Sequence, residues 1–479
     1  MEERRSANSD KQERAAAIQH LRESDPERLV ADGEAATIAA FQRTIARVPA
    51  YRRLVVDQIG VDPATVNDID TFRSVLPLLD KHSTFGALPI RDLCIDGNID
   101  DVRSLLTSSG HSGVFSFGVN TDENLRRSAR SIDTGLQYCF NVDEKRTLLI
   151  NALPMGVKVH TRATVLAETS VRDDMVYALV KKFHDAFEQI IIVGEGSFVK
   201  KIVEDGREFH GIDWENIRVN LVVGEEGIAE NYRDYMGALI GIDDFDDPDS
   251  KLIMSSMGVA ELDLNIFHET RDTVRIRRLA HRDPTLRRLL FGDAAAFCPM
   301  FFVYYPHRCY VEEHAVDRRE TEIVMSVLSE EMKLPLLRYR TGDLGNAHSY
   351  KRVVARLAQT GHPIVPDLKL PFVSVSGRGK FIATRDGNLY PEAVKEALYA
   401  VPAVAARVTG NFRILPARDG SATILFQRKA GARLPRKAKT VLLEALAPYS
   451  DARPDVTFLA YDRFPYAMAV DYERKFSYV

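Results

Sequence analysis

Cysteine is scarce in this 479-residue chain, tryptophan occurs once, and long apolar runs are missing. The four cysteines, Cys94, Cys139, Cys298 and Cys309, form no CxxC pair, and their spacing fits neither a disulfide framework nor a zinc site. They read as buried free thiols in a reducing compartment. No apolar stretch reaches the ~20 residues that a membrane-spanning helix needs. The opening "MEERRSANSDKQERAAAIQHLRESDPERL" is too charged for a secretory leader. A net charge of −4 leaves no basic surplus, which sets nucleic-acid binding aside. Together these absences predict a cytoplasmic protein with neither a membrane nor a nucleic-acid partner. The length exceeds one ordinary core, so at least two domains are expected. Residues 1–30 read as a flexible N-terminal arm, with a loosely docked helix as the alternative for its first two dozen residues.

Helix and strand patterns alternate instead. "RTLLINALP" reads as a buried strand, "RDDMVYALVKKFHDAF" as an amphipathic helix, and "EQIIIVGEG" as a second strand. "RVNLVVGEEG", "AENYRDYMGALIG" and "KLIMSSMG" continue the alternation. This pattern predicts an α/β domain with mainly parallel sheets. Three of the strands close on a glycine: Gly194, Gly224 and Gly258. Ligands of such sheets sit outside the carboxyl ends of the strands, although each glycine alone reads as a plain turn. Beyond residue 376 the texture changes to a short helix, strands, a basic helix and a last strand. We therefore divide the chain into a large domain over 31–377 and a small mobile α+β domain over 378–479.

The stretch "LLTSSGHSGVFSFG" combines glycines and hydroxyl side chains in a way suited to turning backbone N–H groups toward phosphate oxygens. It lacks the lysine of the GxxxxGK[ST] loop, and alone it is an ordinary polar turn. Two further pieces sharpen it. "LLRYRTGDLG" places Asp343 after a tight turn, where a carboxylate can accept both hydroxyls of a ribose. "MGVAELD" places Glu261 just past a strand-end glycine, where a carboxylate can hold Mg²⁺ beside phosphates.

With "VSGRGKF" these pieces resemble, in order, the motifs of the adenylate-forming superfamily of acyl-CoA synthetases, adenylation domains and luciferases. The N-terminal "RVPAYRR", with Leu76-Pro77 through Lys81, Asn388 with Pro391, and the tail "DYERKFSYV", is similar to the phenylacetate–CoA ligases. The resemblance implies ATP-dependent activation of a carboxylic acid to an acyl-adenylate, with pyrophosphate released and the acyl group passed to CoA. It implies nucleotide contacts from Thr107, Ser108, Ser109, Gly110, Ser112, Gly113, Gly224, Glu225, Met257, Gly258, Asp343 and Arg378. It implies catalytic parts for Lys475, Glu261 and His111, with Glu261 also on the metal. ATP, Mg²⁺ and CoA follow as cofactors and co-substrate, a small carboxylic acid as substrate, and a homodimer is allowed.

Departures from the motifs are specific. His111 stands for a threonine, no lysine follows the loop, Met257 stands for the adenine-stacking tyrosine, and Ala260 for a hydroxyl residue. Gly379-Lys380 follow Arg378 where an acidic hinge residue is usual. Three readings stay open at this point. One is a CoA ligase, a second is an enzyme that hands its acyl group to an amine, a carrier protein or a protein cysteine, and a third is a nucleotide-binding relic without activity. His160 reads either as a wall of an acyl pocket or as a satisfied histidine, and Trp214 as a plug from surface to core.

Overall fold

The computed structural model describes residues 2–108, 113–292, 295–317, 320–464 and 478–479, with side chains from residue 8 onward. A hairpin of β1 (Val102–Thr107) and β2 (Phe117–Thr121) comes first, and its ends meet where Thr107 pairs with Phe117. The main sheet then collects β3 (Thr147–Ala152), β4 (Val165–Glu168), β5 (Gln189–Glu195), β6 (Val219–Gly224), β7 (Ile253–Val259) and β8 (Asp263–His268). It continues through β9 (Met300–Val303), β10 (Cys309–Ala315), β11 (Thr321–Val327), β12 (Tyr339–His348) and β13 (Phe372–Val375). Across the sheet the order is β10-β11-β12-β13-β9-β8-β7-β6-β5-β3-β4.

The half that alternates with helices is parallel from β4 to β7, as the sequence predicts. From β7 onward every pairing is antiparallel. β3 and β6 are buried at every residue, the signature of a parallel strand covered on both faces. Alternate side chains feed different cores. Leu148, Ile150 and Leu221 join one cluster with Val176 and Phe198 from two helices, while Leu149, Val193 and Val222 join another with Leu136 and Phe140. The helix Asp122–Phe140 therefore covers one face and the helices Asp173–Phe183 and Gly196–Glu208 the other. All four cysteines are free and buried, and among the described residues no helix is long and apolar enough to cross a membrane. Trp214 is buried and donates its indole N–H to the Val203 carbonyl at 2.8 Å.

The first residues correct the reading of a free arm. Glu2–Glu23 is a helix whose Ile18 and Leu21 are buried, and its Arg14 ion-pairs with Asp143 after the helix Asp122–Phe140. Lys11 adds a hydrogen bond to the Asp143 carbonyl at 2.6 Å. The sequence hides this docking because few apolar residues take part, and the ion pairs Arg14–Asp143 and Arg22–Asp367 join positions far apart in the chain.

Past Val375 the chain forms a hairpin, β14 (Ile382–Thr384) with β15 (Gly387–Leu389), then the helix Pro391–Tyr399. A separate sheet follows, in the order β16 (Val408–Pro416), β17 (Ala422–Arg428), β18 (Asp455–Leu459). This part docks on the large one through buried polar groups. The Glu396 carboxylate accepts the backbone N–H groups of Glu230 and Asn231, both at 3.0 Å, capping the helix Glu230–Ile240 across the interface. Lys200, wholly buried, donates to the Val408 carbonyl at 2.8 Å and to Glu204 at 2.6 Å.

Candidate active site

A cleft of about 520 Å³ opens where the parallel half of the sheet gives way to the antiparallel half. β7 pairs in parallel with β6 and antiparallel with β8, so the cleft lies at the strand where the pairing direction changes. Thr107 and Ser108 enter the cleft from the β1/β2 hairpin. Gly224 and Glu225 line it from the end of β6, and Met257, Gly258 and Glu261 from β7 and the turn after it. Asp343 reaches it from β12 and Arg378 from the segment after β13. Gly113, at φ +82°, is not among the residues lining the cleft. Ser109, Gly110, His111, Ser112 and Lys475 lie outside the described residues.

Backbone contact without side-chain bulk brings the hairpin against β7. A Cβ on Gly118 would stand 2.1 Å from the Ala260 carbonyl oxygen, so only glycine lets β2 lie against the turn that carries Glu261. The mouth of the hairpin is tied off by Ser108 and Ser116: each backbone N–H of the pair donates to the other residue, at 3.0 Å. At the end of β6 the Glu226 N–H donates to the Gly224 carbonyl at 2.9 Å, leaving Glu225 at φ +70° in a tight turn. Such left-handed non-glycine residues gather at ligand sites.

Glu261 is buried, with one hydroxyl and one cation against it. The Tyr339 hydroxyl donates to its Oε1 at 2.9 Å, and Lys81 Nζ stands 3.6 Å from the same oxygen. Burial and the Glu261 carboxylate together push the Tyr339 hydroxyl far above its ordinary value, so it stays a donor. Both contacts fall on Oε1, and among the described residues no group of three or more His, Cys, Asp or Glu side chains could enclose a metal. A single carboxylate suits Mg²⁺, which takes most of its ligands from phosphate and water.

Asp343 is held by its own turn and by Arg378. Gly342 takes φ +82°, and its N–H donates to Glu322 Oε1 at 3.0 Å. Arg340 Nε holds the other Glu322 oxygen at 2.7 Å, so the buried Glu322 fixes the turn from beneath. The Thr341 hydroxyl donates to Asp343 Oδ2 at 2.6 Å, and Arg378 Nε lies 3.6 Å from Oδ1. Arg378 reaches Asp343 because Leu344 and the segment Ser376–Gly377 exchange backbone hydrogen bonds at 2.8 and 2.7 Å.

Other residues of the cleft had no motif to announce them. Lys395 pairs with Glu226 at 2.9 Å and lies 4.5 Å over the ring of Tyr478. Lys81, by contrast, closes the Leu76-Pro77 element of the resemblance, which gave it no part in the site, and it stands beside Glu261. Asn265 and His268, on β8, line the cleft opposite Gly135. His160 does not line this cleft; it faces a second cavity of about 300 Å³ behind the hairpin.

No protein-family model matches the chain, and no curated protein matches it by sequence. Solved structures do match. 2-Hydroxyisobutyryl-CoA ligase in the postadenylation state, in complex with 2-HIB-AMP, has the same fold at a TM-score of 0.64 and 13% identity, over 90% of this chain and 85% of that one. The same ligase with 2-HIB-AMP and CoA in the thioesterification state scores 0.51 at 13% identity, over 91% and 87%. An open conformation scores 0.53 at 14% identity, over 90% and 87%. The chain thus shares the fold of that ligase over about nine tenths of its length, and of these three structures the postadenylation one gives the highest TM-score.

Proposed function

We propose that this chain, built on the fold of the CoA ligases, condenses a small carboxylic acid with ATP to an acyl-adenylate and then passes the acyl group to CoA. The observation that carries this reading is the convergence of Thr107, Ser108, Met257, Glu261, Asp343 and Arg378 on one cleft from four separate stretches of chain. A turn carboxylate, a hydroxyl-bearing hairpin and a buried acid serve a nucleotide triphosphate together; none of them needs the others as mere turns.

In this reading Asp343 accepts the ribose hydroxyls and Arg378 keeps that carboxylate oriented. Met257, with Gly224 and Glu225, bounds the adenine, for which a thioether is a soft contact. Thr107 and Ser108, with the loop that follows them, donate to the departing β- and γ-phosphates, and His111 adds a donor when protonated. Glu261 holds Mg²⁺, which when bound neutralises phosphate charge. Lys475 bridges the attacking carboxylate and the α-phosphate. The carboxylate oxygen attacks the α-phosphorus, pyrophosphate leaves, and the CoA thiolate then displaces AMP from the acyl carbon. Hinge rotation at Gly377, which takes φ +81°, exchanges the two half-reactions.

Pyrophosphate release across a panel of acids, with and without CoA, tests this reading. Acid-dependent release with acyl-CoA found by mass spectrometry supports it. Release without any thioester moves the acceptor to an amine or a protein. No release despite ATP binding leaves only the nucleotide-binding reading.

A further inference from the structure

We propose that the cleft selects hydroxylated acids with an apolar body, and that Asn265 and His268 are the residues that read the hydroxyl. The proposal rests on the reading of the cleft as an acid-activating site and names its substrate class.

One lobe of the cleft is apolar. Val193, Val222 and Met254 stand in register on β5, β6 and β7, and Leu136 and Phe140 face them from the helix Asp122–Phe140. None of these five carries a charge or a hydrogen-bonding side chain. A substrate carboxylate therefore has no partner there and must point toward the Lys81, Thr107 and Ser108 end, with the apolar body in the lobe.

Gly135 interrupts the apolar face of that helix. A Cβ built there would lie 3.7 Å from His268 Nε2 and 3.9 Å from Asn265 Nδ2, so the absent side chain leaves a gap against two polar groups. Neither group is fully engaged. Asn265 Oδ1 accepts the Ser256 hydroxyl at 2.9 Å, which leaves the amide N–H groups for another acceptor. The His268 imidazole has one hydrogen-bond partner among the described residues, the Tyr305 hydroxyl, at the long distance of 3.4 Å from Nε2. Its Nδ1 is buried without a partner. Buried polar atoms are almost always paired, and Nε2, the ring nitrogen at the gap, has only the long Tyr305 contact, so a ligand hydroxyl there would complete the set. Burial, with Arg308 nearby, brings the His268 pKa down to about 3, and the ring is neutral near pH 7. A neutral imidazole both gives and accepts one hydrogen bond, and an amide N–H gives one. A hydroxyl, which also gives and accepts, satisfies both together, whereas a bare methylene satisfies neither.

The test uses pairs of acids that differ by one hydroxyl, on carbon 2, on carbon 3 or on an aromatic ring. Binding of each acid alone is measured by calorimetry, and acid-dependent ATP–pyrophosphate exchange is measured beside it, for wild type, His268→Leu, Asn265→Leu and Gly135→Leu. For at least one pair the hydroxylated acid should bind and react at least ~10-fold better, as for sites built to pair a substrate hydroxyl. Asn265→Leu should level that pair while ATP affinity stays at the wild-type value. Gly135→Leu should exclude both members and spare acetate. Should His268→Leu fail to fold, Asn265→Leu and Gly135→Leu carry the same test. Equal use of every pair, or a preference that survives in Asn265→Leu and His268→Leu alike, overturns the proposal. Hydroxyl-selective binding with no exchange for any acid instead overturns the activation reading and leaves the hydroxyl pocket standing.

Discussion

Tyr339 and Glu261 lie 78 positions apart in the chain and share one hydrogen bond, hydroxyl to Oε1, at 2.9 Å. Tyr339 opens the strand that carries Thr341 and Asp343, and Glu261 follows the strand that carries Met257. The bond therefore couples the turn assigned to ribose with the carboxylate assigned to Mg²⁺. Glu261→Gln keeps an acceptor for Tyr339 but loses the charge. Its acid-dependent pyrophosphate exchange should fall about 100-fold or more, the scale of one preorganised charge contact in a transition state. Tyr339→Phe keeps the charge and should cost no more than about 10-fold. Exchange rates on both variants, with melting curves to confirm folding, check the order.

Asp343→Ala should remove most ATP affinity and leave the fold intact. Two charge-assisted hydrogen bonds are worth about 1.5–3 kcal/mol each when lost. Thr341 and Arg378, the present partners of Asp343, are half-exposed, so their release into solvent is cheap. Calorimetry with ATP on the folded variant reads the effect directly; wild-type affinity would remove the ribose assignment.

Glu204 is one of the carboxylates through which the small part docks on the large one. Glu204 takes Lys200 at 2.6 Å, Lys429 at 2.8 Å and the Tyr235 hydroxyl, and Lys200 is wholly buried. Glu204→Gln leaves a buried cation without its countercharge and should lower unfolding stability by about 3–5 kcal/mol. Adding Lys200→Met to it should recover at least half of that loss, because the orphaned charge is gone. Urea denaturation of the single and double variants measures both.

Two buried histidines make the fold acid-sensitive. Burial lowers His268 to about 3 and His348, which pairs with the Ser374 hydroxyl at 2.9 Å, to about 4. The unfolded chain protonates each near 6.5, so below that pH it binds more protons than the folded one, and stability falls as pH falls. The slope is about 1.4 kcal/mol per pH unit for each histidine between 6.5 and its folded value. Urea midpoints at pH 7.5, 6 and 5 should drop accordingly, and His348→Gln should remove one proton's worth of the slope.

The parallel half of the sheet was legible because strands buried on both faces read as mostly apolar runs, such as "TLLINA" and "VNLVVG". The antiparallel half was not, since β9 to β13 are short or carry residues such as Glu312, Glu322 and Arg340 whose burial depends on partners far along the chain. The residues lining the cleft that were legible sit at strand ends or tight turns, where local chemistry shows in the sequence: Gly224, Gly258, Asp343. Gly135, Asn265 and His268 carry meaning only where a helix and a strand face each other, and no spacing in the chain encodes that meeting.

The central claim is that a carboxylate oxygen attacks the α-phosphorus of ATP. An acid labelled with ¹⁸O in its carboxylate, incubated with the enzyme, ATP, Mg²⁺ and CoA, tests it most directly. Attack at the α-phosphorus predicts one ¹⁸O in the AMP and none in the pyrophosphate. Label in inorganic phosphate, or AMP formed without label, would contradict the account.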